Sequence, residues 1–384
     1  MKKHDIIIIG GGIIGITIAY ELSKYKKVDV LLLEKNPLLA DETSKGNSGV
    51  IHCGFDADSN KIESKLNVLG NRLWQEKIFK DVHFPRAKVD SLVLAFNDLE
   101  NEAVEKLYQR GLRNGVLKEH LKILTKEQIL KKEPLVNNKV QSALLCTNSW
   151  SIDPQKASYA LAKVALQNKV KIELNSEVET IEYQEDFFYL KVKNGQSYKS
   201  KIVINAAGHY GDEIAKKAGY GEFKLKARRG QYRILARSEG HVSKSILFMV
   251  PTIHGKGVIV SPMLDGRVLV GPTAEENIAK DQTRLVTSQG FDLIEKNGKK
   301  IIPSLKIQNT EMTFAGSRPI DIQTNDFVIK SAKDNPNFIN VVGTKSPGLS
   351  AAPAIALEVV KLIKKTNLKI TKKSYFKGRF KELI

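Results

Sequence analysis

Three glycines near the start of the chain have the spacing that the phosphates of a nucleotide require. Gly10, Gly12 and Gly15 follow the isoleucine run 6–9. The first glycine permits a sharp turn, the second removes a Cβ that would block a pyrophosphate, and the third lets the next helix lie close to the strand. Ile14 falls in the first turn of that helix, where free backbone amides attract phosphate. The segment therefore predicts a strand, a phosphate-binding turn and a helix.

An acidic residue completes this pattern one strand later. The apolar segment 28–33 predicts a second buried strand, and Glu34 follows it directly. A carboxylate at this position accepts hydrogen bonds from ribose hydroxyls and repels the additional phosphate of NADP. Glycine triplets alone are common in loops, but strand, turn, helix, strand and acid in this order favour a dinucleotide site.

Hydrophobic periodicity and capping residues predict an α/β chain. Apolar residues at helical spacing predict helices over 13–25, 61–79 and 99–114. Thr125 and Asp153 have the residue type of N-caps and predict helices over 125–132 and 153–167. Predicted strands cover 89–96, 170–174, 177–182, 187–192, 197–204, much of 230–271, and 337–342 before a last helix over 351–364.

Composition constrains the size of the protein and its partners. The chain has 384 residues and a net charge of +19 at pH 7, and this length suits one elaborate domain or two interleaved domains. The lysines are dispersed among glutamates, so the charge predicts a solvated surface and no specific nucleic-acid site. Part of the charge could steer an anionic substrate towards a cleft.

Targeting features and cysteines point to the cytoplasm. No apolar run approaches the ~20 residues of a membrane helix, and no hydrophobic leader precedes the first strand. We therefore expect a cytoplasmic protein, with at most peripheral contact between its basic surface and a membrane. Cys53 and Cys146 are expected to be reduced, and their spacing predicts no metal site.

Several motifs, in the same order along nearly the whole chain, resemble the D-amino acid oxidase family of FAD-dependent oxidoreductases. They are the glycine triplet with Glu34, the loop from Thr43-Ser44 to Asn47-Ser48-Gly49, Glu177-Val178, Asn205-Ala-Ala-Gly208, Ala315-Gly-Ser-Arg318-Pro319, and Gly343-Thr-Lys-Ser346-Pro-Gly348-Leu-Ser350. The resemblance implies an α/β fold in which an FAD-binding Rossmann-like domain is interleaved with an antiparallel-sheet substrate domain. It assigns 1–88, 141–212 and 328–384 to the first domain, and 89–140 and 213–327 to the second.

The resemblance also implies noncovalent FAD and the residues that contact it. A helix that begins near Gly348 would aim its partially positive end at a flavin carbonyl, where a reduced flavin carries negative charge. Cys53 lies in the loop along the flavin, and the role of a small buried side chain is favoured over a covalent tether. Beyond the glycine turn and Glu34, the implied contacts are Thr43, Ser44, Ser48, Gly49, Val50, Val178, Gly208, Gly343, Gly348, Leu349 and Ser350.

The segment 47–54 most resembles the branch of the family that oxidises secondary alcohols. Such chemistry needs a base for the hydroxyl proton while a hydride moves to the flavin, and imidazole suits it because its ordinary pKa lies near neutral pH. His52 is the candidate catalytic base, and His254 is the rival. The alternative for His52 is a structural histidine held by hydrogen bonds beneath the flavin.

The same resemblance implies an anionic substrate held by fixed cations. Arg318 offers a planar fork for carboxylate or phosphate, and Lys256 offers a point charge. Two cations with the hydroxyls of Ser48 and Ser346 suit a phosphate dianion. Relatives that oxidise amino acids pair the arginine with a tyrosine, and no such tyrosine can be placed from this sequence.

These resemblances imply oxidation of glycerol 3-phosphate to dihydroxyacetone phosphate, with dioxygen reduced to hydrogen peroxide. The alternatives are oxidation of L-2-hydroxyglutarate, of another 2-hydroxy acid or of a secondary amine, and transfer of the electrons to a membrane quinone. Quinone-linked relatives carry an additional carboxy-terminal helical domain, whereas this chain ends soon after the 343–350 loop. Dioxygen is therefore the expected acceptor.

Overall fold

The computed structural model describes residues 1–251 and 257–378. His254 and Lys256 lie outside these residues. A π-helical turn, Trp74–Ile78, connects two of the helices. In the described part of the chain the α-helices are α1 Ile13–Leu22, α2 Ile62–Leu73, α3 Phe79–Asp81, α4 Asp98–Arg113, α5 Lys126–Lys132, α6 Pro154–Gln167, α7 Gly211–Lys217, α8 Ser288–Ile301 and α9 Gly348–Ile363.

Most strands belong to one of two large sheets. The strands are β1 Lys2–Ile9, β2 Tyr25–Lys26, β3 Val30–Leu33, β4 Val50–Ile51, β5 Arg86–Lys88, β6 Ser91–Ala95, β7 Leu121–Thr125, β8 Ser142–Cys146, β9 Trp150–Ile152, β10 Lys171–Glu173, β11 Val178–Gln184, β12 Phe187–Val192, β13 Ser197–Asn205, β14 Leu225–Leu235, β15 Ile246–Met249, β16 Ile259–Pro262, β17 Val268–Gly271, β18 Glu275–Ile278, β19 Thr310–Asp321, β20 Val328–Ala332, β21 Asn335–Val342 and β22 Thr371–Lys372.

The first sheet has eight strands and carries the glycine turn. Its order is β10-β3-β1-β13-β12-β11, and β21 pairs with both β13 and β20. β1 is parallel to β3 and to β13, and β21 is parallel to β13. The carboxyl ends of these parallel strands share one edge of the sheet, which is where nucleotides bind in such folds. The glycine turn, Glu34 and Gly208 therefore come together at that edge.

The isoleucine run of β1 is buried on both faces of this sheet. Ile6 and Ile8 pack in one apolar cluster, with residues of α1, α6 and α9. Ile7 and Ile9 pack in another, with Phe188 and residues of α7. Side chains alternate across a strand, so an unbroken apolar run fits a strand covered on both sides.

The second sheet has nine strands and is built around a long antiparallel pair. Its order is β18-β14-β17-β16-β15-β6-β8-β7, and β19 pairs with β14. The β14 and β19 pairing runs from Leu225 opposite Asp321 to Leu235 opposite Thr310. This register places Arg318 opposite Arg228 and Gly316 opposite Gly230.

The structure confirms the predicted α/β fold and most predicted elements, with shifted ends. Thr125 caps α5 through a capping box, and the Asp153 side chain accepts the Lys156 amide at the start of α6. The helix predicted over 61–79 is interrupted by the π-helical turn at Trp74. Neither α8 nor the strand β19 over 310–321 was among the predicted elements.

One strand crosses the predicted division into domains. Ser142–Cys146 falls within the segment assigned to FAD binding, yet it pairs with β6 and β7 in the nine-stranded sheet. The division itself stays a prediction. Among residues 1–251 and 257–378, we find no helix with the length and apolar character needed to span a membrane.

Candidate active site

The turn after β1 is packed tightly on one side and open on the other. Gly10 has a φ of +112°, and a Cβ there would overlap the Ala206 carbonyl. A Cβ on Gly15 would overlap the Gly10 carbonyl, so α1 lies directly against the turn. Gly12, by contrast, lines open cavity space, although a Cβ there would approach Ser44 Oγ closely, at 3.1 Å. The open side leaves space for a phosphate group at the amino end of α1.

Glu34 is buried at the end of β3 and braces this turn. Its carboxylate accepts the Gly11 N–H at 2.6 Å and the Asn36 N–H at 2.8 Å. Burial raises the pKa of Glu34, while these two N–H groups and the Lys35 charge favour its ionised form. The remaining carboxylate lone pairs are the ones available to ribose hydroxyls.

Two cavities meet at the glycine turn, and we call them the first and the second cavity. The second cavity extends along the carboxyl ends of the parallel strands and is lined by Gly10, Glu34, Glu177 and Val178, among others. The residues shared by the two cavities are Gly12, Thr43, Ser44, Ala206 and Gly208. Residues that line the first cavity include Ile14, Ser48, Val50, His52, Tyr232, Arg318, Lys345, Ser346, Gly348 and Leu349.

The joined cavities fit FAD. Glu34 and Val178 would hold the adenosine, the glycine turn the pyrophosphate, and the first cavity the flavin ring. A Cβ at Gly208 would meet no atom within 4 Å, so the end of β13 faces open space. α9 begins at Gly348, and its first residues line the flavin side, where helix amides stabilise negative charge. The predicted cofactor residues Gly15, Gly49, Gly343 and Ser350 support the cavities from behind without lining them.

His52 lines the flavin side, and its backbone is held at both ends. Its N–H donates to Ser350 Oγ at 2.8 Å, and its carbonyl accepts from Asn71 Nδ2 at 3.1 Å. Its ring centroid lies 6.0 Å from that of Phe248. The structure therefore brings the candidate base into the same cavity as Ser48, Arg318 and Ser346.

The Arg318 guanidinium is the anion-binding candidate of this cavity. No hydrogen bond or salt bridge engages the Arg318 side chain within residues 1–251 and 257–378. Burial lowers its pKa, which is the cost of keeping a cation in a desolvated site without a partner. A guanidinium without a partner in a cavity has the chemistry to pair with an anion.

A tyrosine that could not be placed from the sequence lines the same cavity as this arginine. Tyr232 in β14 lines the same cavity as Arg318 and is 5 % exposed. Its ring stacks on Phe314 with centroids 4.5 Å apart. Burial raises the Tyr232 pKa, and the Arg318 charge acts in the opposite direction. The two residues are far apart in sequence, and the pairing of β14 with β19 brings both to the wall of the same cavity.

A buried ion pair was also missed by the sequence analysis. Lys345 Nζ contacts Glu63 Oε2, and the two side chains are 11 % and 6 % exposed. Burial raises the pKa of Glu63, against the effect of Lys345. Lys345 lines the first cavity, so the active site contains a second cation whose charge is balanced by α2.

The loop that carries Thr43 and Ser44, which we call the cofactor loop, contacts β19, the substrate strand that carries Arg318. A Cβ on Gly316 would overlap the Gly46 carbonyl, and a Cβ on Gly46 would lie 2.9 Å from the Gly316 Cα. Ser44 Oγ accepts the Ile13 N–H at 2.8 Å, which ties the same loop to α1. The cofactor loop and the substrate strand are therefore in direct backbone contact.

The expectation of two reduced cysteines is wrong for this structure, which joins Cys53 to Cys146 in a disulfide. Cys53 follows the candidate base, and Cys146 ends β8. Both side chains pack in one apolar cluster with Phe55. They are 93 residues apart, so their spacing contained no local pattern that could predict the pairing.

Comparison with known proteins defines the class. The family described as FAD dependent oxidoreductase matches residues 5–362, and the chain belongs to that family. It is 48% identical to the glycerol 3-phosphate oxidase of Mycoplasma pneumoniae over 99% of both chains. It is 40% identical to the glycerol 3-phosphate dehydrogenase of Caloramator mitchellensis, covering 97% of this chain and 76% of that one. It superimposes on the FAD-bound, dithionite-reduced L-alpha-glycerophosphate oxidase of M. pneumoniae with a TM-score of 0.95 over 99% of both chains, at 48% identity.

Proposed function

We propose that this protein oxidises glycerol 3-phosphate to dihydroxyacetone phosphate and passes the electrons to dioxygen, forming hydrogen peroxide. The observation that carries the proposal is the Arg318 side chain, which has no ionic partner among the described residues and shares a cavity with His52. A phosphate dianion would supply the missing negative charge. The relatives named for this substrate, which match nearly the whole chain, support the same assignment.

The residues have complementary roles in this proposal. Arg318 and Lys256 bind the phosphate, and Ser48 and Ser346 orient it by donating hydroxyl protons. His52 removes the proton of the C2 hydroxyl as the C2 hydride leaves, so that the carbon becomes a ketone. FAD held noncovalently by residues of the two cavities would supply the acceptor for the hydride and the route of both electrons to dioxygen.

Dioxygen is proposed as the acceptor because the relative with the higher identity is an oxidase. That oxidase is 48% identical, whereas the dehydrogenase is 40% identical and extends beyond the matched region. Aerobic turnover should therefore release one peroxide per substrate oxidised. Reduction of a soluble quinone without peroxide would show that the proposed acceptor is wrong while leaving the substrate assignment intact.

A 2-hydroxy acid is the second candidate substrate because an arginine fork in the same cavity as a tyrosine also suits a carboxylate. Initial rates of peroxide formation should be compared for glycerol 3-phosphate, L-2-hydroxyglutarate and glycine at equal concentrations. We expect kcat/KM for glycerol 3-phosphate to exceed the others by at least about a hundredfold. A higher value for L-2-hydroxyglutarate would reverse the assignment.

The role of His52 is tested by the reductive step alone. His52→Ala should lower the rate of anaerobic flavin reduction by roughly a hundredfold or more, since a positioned base contributes about that much. His241→Ala is a matched control, because His241 is exposed and contacts the Ser238 carbonyl. An unchanged reduction rate in His52→Ala would remove its assignment as base and favour His254.

A further inference from the structure

His209 connects three segments from different parts of the chain, which are the turn after β13, the cofactor loop and β19. It follows Gly208 at the end of β13 and is 5 % exposed. Its Nε2 lies 2.8 Å from Thr43 Oγ1 in the cofactor loop and 2.7 Å from Ser317 Oγ in β19. Thr43 Oγ1 also donates to the Ser317 carbonyl at 2.9 Å. These contacts form a closed group between the dinucleotide sheet, the cofactor loop and the substrate strand.

The contacts of His209 are compatible with either neutral tautomer. As an N–H nitrogen, Nε2 can donate to Thr43 Oγ1 or to Ser317 Oγ, and as a bare nitrogen it can accept a hydroxyl proton from one of them. Nδ1 also lies 3.4 Å from Ser317 Oγ. Burial lowers the pKa of His209 to about 4, so the ring is neutral near neutral pH.

The two hydroxyls joined by His209 belong to the two halves of the active site. Thr43 lines both cavities, and Ser317 directly precedes Arg318. We propose that His209 is a positioning residue that fixes Arg318 relative to the bound cofactor by joining Thr43 to Ser317. The part of this proposal that concerns the substrate rests on the proposed function, whereas the part that concerns the cofactor loop does not.

The proposal predicts linked losses when the imidazole is removed. In His209→Ala, the dissociation constant of FAD from the apoprotein should rise about tenfold, as for a lost buried hydrogen bond. The dissociation constant of glycerol 3-phosphate, from anaerobic flavin bleaching, should rise by about the same factor. The limiting reduction rate should change less than about threefold, because His52 is untouched.

Two further variants separate positioning from general loss of structure. His209→Gln keeps a side-chain N–H and should restore both dissociation constants to within about threefold of the original. His4→Gln is the control, since His4 is also buried and pairs with Asp29 at 3.0 Å at the far end of β1. His4→Gln should leave both dissociation constants unchanged. If His209→Ala does not fold, the His209→Gln and Ser317→Ala chains provide the same comparison.

A double substitution tests the route through Ser317. If His209 acts through that hydroxyl, His209→Ala with Ser317→Ala should weaken substrate binding no more than His209→Ala alone. Fully additive losses, or a His209→Gln chain as weak as His209→Ala, would overturn the proposal. If glycerol 3-phosphate fails to bleach the unmodified flavoprotein, the proposed function fails. The FAD dissociation constants of the same variants would then still support or refute the joining role of His209.

Discussion

The Ser350 hydroxyl accepts the backbone N–H of His52 at 2.8 Å. Ser350 is fully buried in the first turn of α9, the helix whose amino end lines the flavin side of the cavity. Asn71 Nδ2 donates to the His52 carbonyl from α2. Two helices that lie far apart in sequence therefore fix the backbone of the proposed base, and one of them also forms part of the cofactor site.

Replacing Ser350 by alanine should disturb the base without touching its ring. The His52 N–H would lose its partner in a buried setting, which costs about 1–3 kcal/mol of unfolding free energy. Flavin reduction should slow roughly tenfold because small displacements of a base are costly. Urea unfolding and stopped-flow reduction measure the two effects. Ser331→Ala is the control, since that hydroxyl bonds the Pro336 carbonyl at the surface. Equal behaviour of the two variants would show that Ser350 does not position His52.

Replacing Arg318 by lysine should weaken substrate binding while leaving the charge in place. A lysine cannot form the paired hydrogen bonds of a guanidinium, so the dissociation constant of glycerol 3-phosphate should rise by roughly ten- to a hundredfold. Anaerobic titration of the flavin band measures it. Arg267→Lys is the control, because Arg267 pairs with Asp265 outside the cavity. Undiminished affinity in Arg318→Lys would place the anion elsewhere.

The buried pair of Glu63 and Lys345 should show strong thermodynamic coupling. Lys345→Met leaves a buried carboxylate without its partner and should cost about 3–5 kcal/mol. The double change Glu63→Gln with Lys345→Met should recover most of that loss, because no buried charge then remains. Lys361→Met, which breaks an exposed pair with Glu358, should cost less than about 1 kcal/mol. Denaturant unfolding of the unmodified protein, these three variants and the single change Glu63→Gln tests this, and simple additivity of the two single changes would contradict it.

The contact between Gly46 and Gly316 should tolerate no side chain. Gly316→Ala would force its Cβ into the Gly46 carbonyl and push the cofactor loop away from the substrate strand. We expect loss of FAD retention on a desalting column and a destabilisation of at least about 2 kcal/mol. Gly221→Ala is the matched control, since its added Cβ would have ordinary contact with Lys216 at 3.5 Å. Normal FAD retention in Gly316→Ala would show that the loop can move without loss of the site.

The stability of the protein should depend on pH through His209. Its pKa is about 4 when folded, against about 6.5 for an exposed imidazole. The unfolded chain therefore binds the proton first, and stability falls as the pH drops from about 6.5 to about 4. His209→Gln lacks this proton and should lose less stability over that interval, by roughly 2–3 kcal/mol. Urea unfolding at several pH values measures the difference. Above pH 7, the unfolding free energies of the two proteins should change with pH in parallel. A parallel change below pH 6 as well would contradict the prediction.

The parts of the molecule that could be predicted from sequence are those formed by neighbouring residues. The strand, turn, helix and acid around Gly10 and Glu34 are contiguous, so each local preference points to the same structure. Thr125 and Asp153 likewise cap helices that begin within three residues of them. Family resemblance supplied the order of the remaining motifs. The two large sheets match the two kinds of sheet that this resemblance implies.

The features that could not be predicted depend on long-range pairing. Lys345 and Glu63 are separated by 282 residues, and a lysine in a turn is usually solvated. Tyr232 and Arg318 line one cavity because β14 pairs with β19. His209 gave no sequence signal because its partners come from two other segments. Cavity walls formed by several segments are therefore visible only in the folded chain.

An anaerobic titration of the purified protein with glycerol 3-phosphate tests the proposed activity in one experiment. We expect a yellow protein with an oxidised flavin absorption band that disappears as substrate is added, at about one equivalent per flavin when binding is tight. Admission of air should restore the band and release hydrogen peroxide. A protein that binds no flavin, or a flavin band that persists at saturating glycerol 3-phosphate, would show that the proposed activity is wrong.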